Sequence, residues 1–446
     1  MKDLIGKLAN IFKIPELKER IFYTFMVLAV FRLGSFIILP GVDSGTLVEM
    51  FNASQGSGIL GIINTFVGGA FSRGAILALG IMPYISASII IQLLAAAVPM
   101  IQKKQREGES GQKWINQLTR YLTVVITAGQ SIGYIVNLQA QYPNAVPADS
   151  TLFFLTSIVI LTSGTMFLVW LGERITESGI GNGVSLLIMI GIISEIPRAL
   201  YNEGSSNPAM IFFIEIISLG VVTMAVVALT QATRKIPINY ARRVMGNKIA
   251  GGMATTNRQY IPLKVNSAGV MPIIFAQSIM FVPATIATFF PKSDFWNAAG
   301  SAFGDPTGWV YNVVFAVLII VFTYFYTAIV INPNEIADNL KRTGGFIPGV
   351  KPGKKTAEYI DSILTRITLP GSMFLATVAI FPSIAQSLGV SSGFSQFFGG
   401  TSLLIMIGVV LDTLQQIESY LLMRHYDGLM KTGRIKRTQG APGVTV

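Results

Sequence analysis

The sequence predicts an all-α integral membrane protein with ten transmembrane helices. Hydrophobic residues make up 51% of the 446-residue chain and charged residues only 12%, whereas a typical soluble domain has roughly 25% charged residues. The mean hydropathy is +0.59. Ten apolar segments approach the roughly 20 residues that a helix needs to cross a bilayer. Their predicted limits are 21–39, 75–98, 119–138, 151–171, 184–201, 209–231, 267–290, 310–331, 368–389 and 401–423.

The distribution of positive charge predicts the orientation of these spans. Alternate loops, beginning with the N terminus, have 29 of the 33 lysines and arginines in or beside them. The other loops carry only Arg73, Arg198 and Lys292, and Arg32 lies within the first span. Because cytoplasmic loops are enriched in Lys and Arg, we expect both termini in the cytoplasm, with the net charge of +11 concentrated on that face.

Ten spans divide into two halves of five. Because five is odd, two related halves would have opposite orientations in the membrane, as in many transporters. This expectation rests on the count of spans, since the sequence shows no clear internal repeat. Apolar residues near the N terminus are spaced as in a short amphipathic helix that lies on the membrane. The predicted units are a cytoplasmic amphipathic segment (1–20), a first half (21–201), a second half (202–423) with cytoplasmic loops 232–266 and 332–367, and a basic cytoplasmic tail (424–446).

Composition and motif spacing argue against several kinds of chemistry. The chain has no cysteine and one histidine, His425, so it offers no thiolate nucleophile and little scope for a histidine metal site. The stretch GVKPGKKT resembles a phosphate-binding loop, but Pro348 stands where the first glycine belongs and Lys355 where Ser or Thr is required. The stretch GIGNG (179–183) has no βαβ unit around it. We therefore expect no catalytic residue, no metal and no cofactor.

Two other classes of membrane protein remain as alternatives. A secondary transporter of a small solute would need coupled carboxylates near the membrane midplane, and a membrane-embedded enzyme would need paired aspartates, a Ser-Lys dyad or histidines in its spans. The charges in or near the predicted spans are Arg32, Glu215, Asp412 and Glu418. They are isolated from one another in the sequence, which favours interhelical hydrogen bonding or snorkelling over a transport site.

The loop before the seventh span has the composition of a docking surface. It carries seven positive charges and no acid, and it contains the strand-like runs RKIPINYA and QYIPLKV. A projecting basic hairpin of this kind suits an anionic partner. The alternative interpretation is that the charges only set the orientation of the spans.

Two features near the second span are unusual. The apolar stretch from Ile59 to Phe71 is too short to cross a bilayer and is followed by Ser-Arg-Gly before a full-length apolar segment resumes. Within the second span, Ile81, Ile85 and two polar residues have the i, i+4, i+7, i+11 spacing of one helical face. By itself this isoleucine spacing is also typical of a lipid-facing or core stripe.

Long stretches of the chain resemble the SecY/Sec61-alpha family of protein-conducting channels. The resemblance covers nearly the whole chain and is carried by ALGIMPYISASIIIQLL, KKQREGESGQKWINQLTRY, GTMFLVWLGERITESGIGNGVSLLI, LKVNSAGVMPIIFAQSIMFVPATIA, FYTAIVINPNEIADNLKRTGGFIPGVKPGKKTAEYID and GGTSLLIMIGVVLD. It implies two inverted five-helix halves that form a clamshell around an hourglass pore, with a short re-entrant plug helix. In this family the clamshell opens sideways between spans two and three and spans seven and eight.

The resemblance also implies roles for individual residues of this chain. A ring of isoleucines, here called the collar, would form the constriction, and a plug segment (residues 59–72) would rest in the funnel beside it, with Arg73-Gly74 as the hinge. The implied collar is Ile81, Ile85, Ile188, Ile274 and Ile405. The implied plug residues are Ile59, Leu60, Ile62, Ile63, Asn64, Phe66, Val67, Gly68, Gly69 and Phe71. Ser88 and Gln92 are the candidates for the lateral gate, and the implied docking residues are Arg242, Arg243, Lys248, Arg258, Lys264, Lys341, Arg342 and Lys351.

The resemblance implies a function and a set of partners. The chain would be the central pore subunit of a Sec translocon in the bacterial inner membrane, passing unfolded preproteins and releasing apolar segments into the lipid. The implied partners are SecE, SecG, the SecA ATPase, the ribosome with its RNA, signal peptides, preproteins and membrane lipids, with SecDF and YidC as further candidates. One departure is Lys351, where the family usually has an arginine, and lysine lacks the planar fork of a guanidinium.

Overall fold

The protein is described here from a computed structural model that covers residues 14–53, 59–105, 107–143, 145–146, 151–240, 259–289 and 293–432. Four of the expected docking residues lie outside the described residues: Arg242, Arg243, Lys248 and Arg258. Most of the expected amphipathic segment and of the basic tail also lies outside them.

The elements up to the basic loop are helical. They are α1 (Pro15–Gly34), α2 (Ser44–Ala53), α3 (Ile59–Phe66), α4 (Met82–Ala97), α5 (Pro99–Gln105), α6 (Glu109–Gln141), α7 (Thr151–Ser178), α8 (Gly183–Ser206) and α9 (Ala209–Gln231). The basic loop follows and contributes β1 (Thr233–Tyr240) and β2 (Gln259–Lys264).

The rest of the chain is again mainly helical. It comprises α10 (Met271–Phe289), α11 (Asp294–Gly304), α12 (Trp309–Val330), α13 (Pro333–Arg342), β3 (Gly345–Phe346), α14 (Lys354–Ser387), α15 (Ser392–Ser395) and α16 (Gly400–Thr432).

Each of the ten predicted spans overlaps a helix. Among the described residues, seven helices are long and apolar enough to cross a membrane, and the number is eight if α4 and α5, which meet at a bend of 106°, count as one span. The first span, α1, falls short because it carries five charged residues in 20. The seventh, α10, has Pro283 inside it, and its apolar part is only 13 residues long, Met271–Pro283.

The second predicted span, 75–98, is wrong at its beginning. The helix starts only at Met82, because the backbone before it is bonded elsewhere. The amide of Leu39 donates to the Gly74 carbonyl (2.8 Å) and the amide of Ile76 donates to the Ile37 carbonyl (2.9 Å). Pro83, at the first turn of α4, then has the fixed φ that suits a helix start.

Several helices extend beyond the apolar segments that predicted them. Helix α14 begins at Lys354, well before the predicted start of the ninth span at 368, so much of the loop 332–367 is helical. Helix α1 begins at Pro15, inside the segment 1–20, and α16 continues to Thr432. Hydropathy detects only the part of a helix that faces lipid or core, and these polar extensions leave no apolar signal.

A small sheet departs from the all-α prediction. Its strand order is β2-β1-β3, and β1 is antiparallel to both neighbours. The two strand-like runs of the basic loop therefore pair with each other, as expected. The pairing of β1 with β3, which belongs to the next predicted loop, was not expected. Alternate residues of β1, Ile236 and Ile238, face a buried cluster that includes Leu340, Ile360 and Leu364. One apolar core thus joins the two predicted cytoplasmic loops.

The largest buried cluster among the described residues lies where helices of the first half (21–201) meet helices of the second half (202–423). Helix α10 packs against α4 and α6, and α16 packs against α8. Helix α3 packs against α8. This arrangement places the short helix α3 among the long ones, and it positions the candidate site.

Candidate pore and plug site

The collar isoleucines belong to a single buried cluster. Their exposed fractions are 6% for Ile81, 6% for Ile85, 3% for Ile188, 7% for Ile274 and 1% for Ile405. They come from four places in the chain, which are the start of α4, α8, α10 and α16. Four of them, all except Ile81, border one cavity. The sequence placed Ile81 and Ile85 on one helical face. Ile85 lies in α4, but Ile81 is the N-cap residue, one position before the helix begins.

The cavity that these side chains enclose is very small. Its volume is ≈ 10 Å³, and its other walls are Phe66, Met82 and Gln277. A cavity needs about 10–15 Å³ by this measure to hold one water. Among the described residues that form the walls, only Gln277 is polar; it is 2% exposed and donates through Nε2 to the hydroxyl of Tyr311 (3.3 Å). The collar therefore leaves room for one water at most and none for a hydrated ion.

The plug segment closes one wall of this cavity through Phe66, the last residue of α3. The expected helix through Phe71 is wrong, because the chain turns after Phe66. The side chain of Asn64 accepts a hydrogen bond from the amide of Ser72 (2.9 Å), which closes the turn. Both side chains are buried although polar. The segment is thus a short helix with a tight return.

Long-range hydrogen bonds attach the plug segment to its walls. The hydroxyl of Thr65 donates to Oε1 of Gln396 (2.8 Å), and the hydroxyl of Tyr134 donates to the carbonyl of Phe71 (2.9 Å). At Gly191 on α8, a β-carbon would collide with the carbonyl oxygen of Phe66, so the two backbones lie in direct contact. Sequence reasoning missed Thr65, Gln396 and Tyr134, because no local pattern marks partners far apart in the chain.

A polar cavity of ≈ 720 Å³ lies against the plug segment. Its walls include Asn64 and Thr65 of the plug segment, Glu195 and Arg198 of α8, and Gln396. It is far larger than the gap inside the collar. A wide polar space and a narrow apolar constriction therefore meet at α3.

Arg32, expected as an isolated charge within the first span, has a specific partner. Its Nη1 donates to the carbonyl of Gly68 (3.1 Å). Nη1 of Arg73 lies 3.5 Å from the same oxygen. Nη2 of Arg73 is 3.9 Å from a carboxylate oxygen of Glu195. The first span, the plug segment and α8 thus meet in one polar cluster.

Glu215 takes part in a hydrogen-bond network, as the interpretation from sequence favoured, and not in a cluster with the other charges in the spans. Nδ2 of Asn207 donates to Oε1 of Glu203 (2.8 Å) and lies 3.4 Å from Oε1 of Glu215. Glu203 is fully buried, and it also accepts hydrogen bonds from the amide and hydroxyl of Ser391. None of these residues borders the cavity inside the collar. Through Asn207 and Ser391, Glu203 therefore links the α8–α9 connection to the segment before α15.

The two lateral-gate candidates lie on α4 and contact each other. Nε2 of Gln92 donates to the hydroxyl of Ser88 (3.1 Å), and both side chains are half-buried. Helix α4 packs against α10, which also packs against α6. The seam between spans two and seven is thus closed in this conformation.

The described docking candidates lie around the three-stranded sheet. Lys264 ends β2, Lys341 and Arg342 form the last turn of α13, and Lys351 follows β3; all four are exposed. Nζ of Lys264 donates to Oε1 of Gln415 on α16 (2.9 Å). The sheet therefore brings basic residues from two separate loops into one region, here called the basic sheet end.

Comparison with known proteins gives consistent matches over nearly the full length. The SecY family model matches residues 75–414. The chain is 41% identical over 438 residues to a protein translocase subunit SecY of Vibrio cholerae, covering 95% of this chain and 96% of that protein. It is 41% identical over 431 residues to the protein translocase subunit SecY of Escherichia coli K12, covering 94% and 95%.

Solved structures share the fold. A protein-conducting channel matches with a TM-score of 0.61 and 17% identity, covering 90% of this chain and 92% of that one. Sec61 in a canine ribosome–channel complex from the endoplasmic reticulum matches with a TM-score of 0.60 and 16% identity over the same shares of the two chains. The family model and the identity to full-length relatives together show that the chain belongs to the SecY family.

Proposed function

We propose that this chain conducts unfolded polypeptide through the collar and that the plug segment seals the collar at rest. As a SecY family member, the chain is a multi-pass membrane protein and the pore subunit of a Sec protein translocase. The observation that carries the finer proposal is the ≈ 10 Å³ cavity that Phe66 shares with four collar isoleucines. A related solved structure is described as showing that the plug domain of SecY stabilises the closed state and maintains a membrane seal.

The chemistry of the collar suits a pore for chains of any sequence. Four isoleucines offer no hydrogen-bond donor or acceptor, so they neither hold nor select a passing polypeptide. A narrow apolar ring wets poorly and therefore resists ions. Because the isoleucines come from four separate parts of the chain, small movements of the helices widen the ring without breaking the backbone.

Opening to the lipid would occur at the seam where α10 meets α4 and α6. The two halves, 21–201 and 202–423, would move as the leaves of a clamshell, and apolar signal peptides would enter the bilayer between them. Ser88 and Gln92 are the candidate gate residues on α4. This opening links release of apolar segments to the same movement that widens the collar.

The basic sheet end would receive the partner that supplies polypeptide. Two of the matched channel structures are described as complexes with the ribosome, and ribosomal RNA is an anionic surface that favours clustered lysines and arginines. We propose the ribosome and the SecA ATPase as alternating partners at Lys264, Lys341, Arg342 and Lys351. SecE, SecG, SecDF and YidC are proposed as membrane partners, in the bacterial inner membrane, with both termini cytoplasmic.

A reversible lock of the plug segment tests this proposal. The chain has no native cysteine, so the pair Thr65→Cys and Gln396→Cys would be the only thiols. The Thr65 hydroxyl oxygen and Oε1 of Gln396 lie 2.8 Å apart, so a short bis-methanethiosulfonate, whose disulfide links are cleaved by reduction, should bridge cysteines at the two positions. We expect crosslinked channels in proteoliposomes to stop translocating preprotein, and reduction of the disulfide to restore transport.

A matched pair controls for the crosslinking itself. Arg120 on α6 and Glu173 on α7 contact at 2.6 Å without involving the plug segment. A bis-methanethiosulfonate long enough to span the two replaced side chains should join Arg120→Cys to Glu173→Cys and leave translocation intact. Full transport by channels whose Thr65 and Gln396 positions are completely crosslinked would refute a plug that must leave.

A further inference from the structure

The carbonyl oxygen of Gly68 is approached by two guanidinium groups from different elements. Nη1 of Arg32, near the end of α1, is 3.1 Å from it, and Nη1 of Arg73 is 3.5 Å from it. Charge-assisted hydrogen bonds are about twice as strong as neutral ones. Gly68 lies two residues after Phe66, which borders the collar cavity, so this carbonyl is a fixed point for the plug segment.

The residue at position 68 has to be glycine for this contact to form. Its φ is +65°, a conformation that L side chains rarely adopt. A β-carbon there would also lie 2.5 Å from Nη1 of Arg32 and 2.7 Å from the hydroxyl oxygen of Ser194. The chain therefore leaves a space shaped for the guanidinium group of Arg32.

The surrounding groups hold both arginines in place. The guanidinium carbons of Arg32 and Arg73 lie 5.4 Å and 4.5 Å from the ring centre of Phe36, which is cation–π geometry. Glu195 on α8 approaches Arg73 at 3.9 Å and Arg198 at 4.0 Å. The side chains of Arg73 and Glu195 are only 23% and 13% exposed, so water screens their attraction less than at an open surface.

We propose that Arg32 and Arg73 form a latch that holds the plug segment closed by binding the Gly68 carbonyl, with Glu195 as the positioning residue for Arg73. The proposal rests on the proposed role of the plug segment as the seal. The latch joins α1, the plug segment and α8, so release of the plug requires these contacts to break. Its strength would set how readily the channel opens.

The test is the resting ion conductance of the reconstituted channel complex, for wild type and Arg32→Ala, each with the plug intact and with residues 64–70 deleted. We expect Arg32→Ala to raise the open-to-closed ratio at least about tenfold, the equilibrium effect of losing one charge-assisted hydrogen bond. In the deleted background, the same substitution should have no further effect, because the carbonyl that it serves is gone.

Companion variants separate the latch from general stability. Arg20→Ala is the matched control, since Nη1 of Arg20 on the same helix donates to the carbonyl of Gly179 (3.3 Å), outside the plug segment. It should leave the conductance at the wild-type value. Arg32→Lys should restore part of the seal, because it keeps a charged donor, and Arg32→Gln is the substitute if Arg32→Ala does not fold. Glu195→Gln should raise the conductance less than Arg32→Ala.

The outcomes distinguish failure of the latch from failure of the plug. Wild-type conductance in Arg32→Ala, with a leak in the plug deletion, overturns the latch alone. An equal rise from Arg32→Ala in both backgrounds shows that Arg32 supports the fold elsewhere and also overturns the latch. No leak in the plug deletion overturns the plug as the seal, and the latch with it. As an independent readout, Arg32→Ala should slow resting crosslinking between cysteines at positions 65 and 396.

Discussion

Replacing Ile188 by alanine should open an ion leak. Ile188 is 3% exposed and borders the ≈ 10 Å³ cavity inside the collar. The substitution removes three carbon atoms, at about 0.8 kcal/mol of transfer free energy each. With the added cost of the cavity, the closed state loses about 2–5 kcal/mol, the range for buried Ile→Ala substitutions.

This loss falls mainly on the closed conformation. In an open channel the side chain already faces water or substrate, so its truncation costs little there. Since each ~1.4 kcal/mol is a factor of ten, the open-to-closed ratio should rise by about thirtyfold or more. Ile188→Val, at about 0.5–1.5 kcal/mol, should give a small increase, and Ile188→Ser a larger one than alanine, because its hydroxyl favours entry of water.

The assay is the resting conductance of purified channel complex in a planar lipid bilayer. Ile175→Ala is the matched control, because Ile175 is fully buried in the same large cluster but does not border the cavity. It should lower thermal stability without a leak. A correctly folded Ile188→Ala channel with wild-type conductance would refute the collar as the seal.

Three further predictions follow from other parts of the molecule. Hydrogen bonds from the Thr46 hydroxyl and the Gly45 amide lower the pKa of Asp43. The stabilisation that these bonds give to the start of α2 is therefore complete above the usual pKa of an aspartate, and it is lost as the pH falls through the lowered pKa. The protection of α2 amides against hydrogen exchange, taken relative to the intrinsic exchange rate at each pH, should therefore fall below about pH 4, and Asp43→Asn should remove that pH dependence. Lys351→Glu should weaken ribosome binding and reduce its salt slope by roughly one unit, whereas Lys351→Arg should preserve both in co-sedimentation at several salt concentrations. Gln92→Leu, which removes the bond to Ser88, should reduce photocrosslinking of weakly apolar signal peptides to α4, and unchanged crosslinking would count against this gate position.

The sequence predicts the long helices well, because their apolar length is a local property. The sixth predicted span, 209–231, coincides with α9. The beginning of the second span was wrong because the backbone before Met82 pairs with residues 37–39, and hydropathy does not detect such pairing. The pairing of β3 with β1 was also missed. Hydropathy does not detect strand pairing, and β3 is only two residues long.

The candidate site was only partly visible in the sequence. Family resemblance pointed to the collar isoleucines, and the structure brings four of them around one cavity. The contacts that fasten the plug segment, such as Thr65 with Gln396 and Arg32 with Gly68, join distant parts of the chain. One sequence read alone carries no signal for such pairs, and Arg32 stood out only as a charge in an apolar span.

Passage of polypeptide through the collar can be detected by photocrosslinking to a preprotein arrested in transit. A photoreactive residue would replace Ile188 or Ile405, and Ile193 on the same helix as Ile188, which is 36% exposed, serves as the control. We expect strong crosslinks to the arrested chain from positions 188 and 405, and few from 193. Absence of crosslinks from both collar positions, or equal yield from 193, would contradict it.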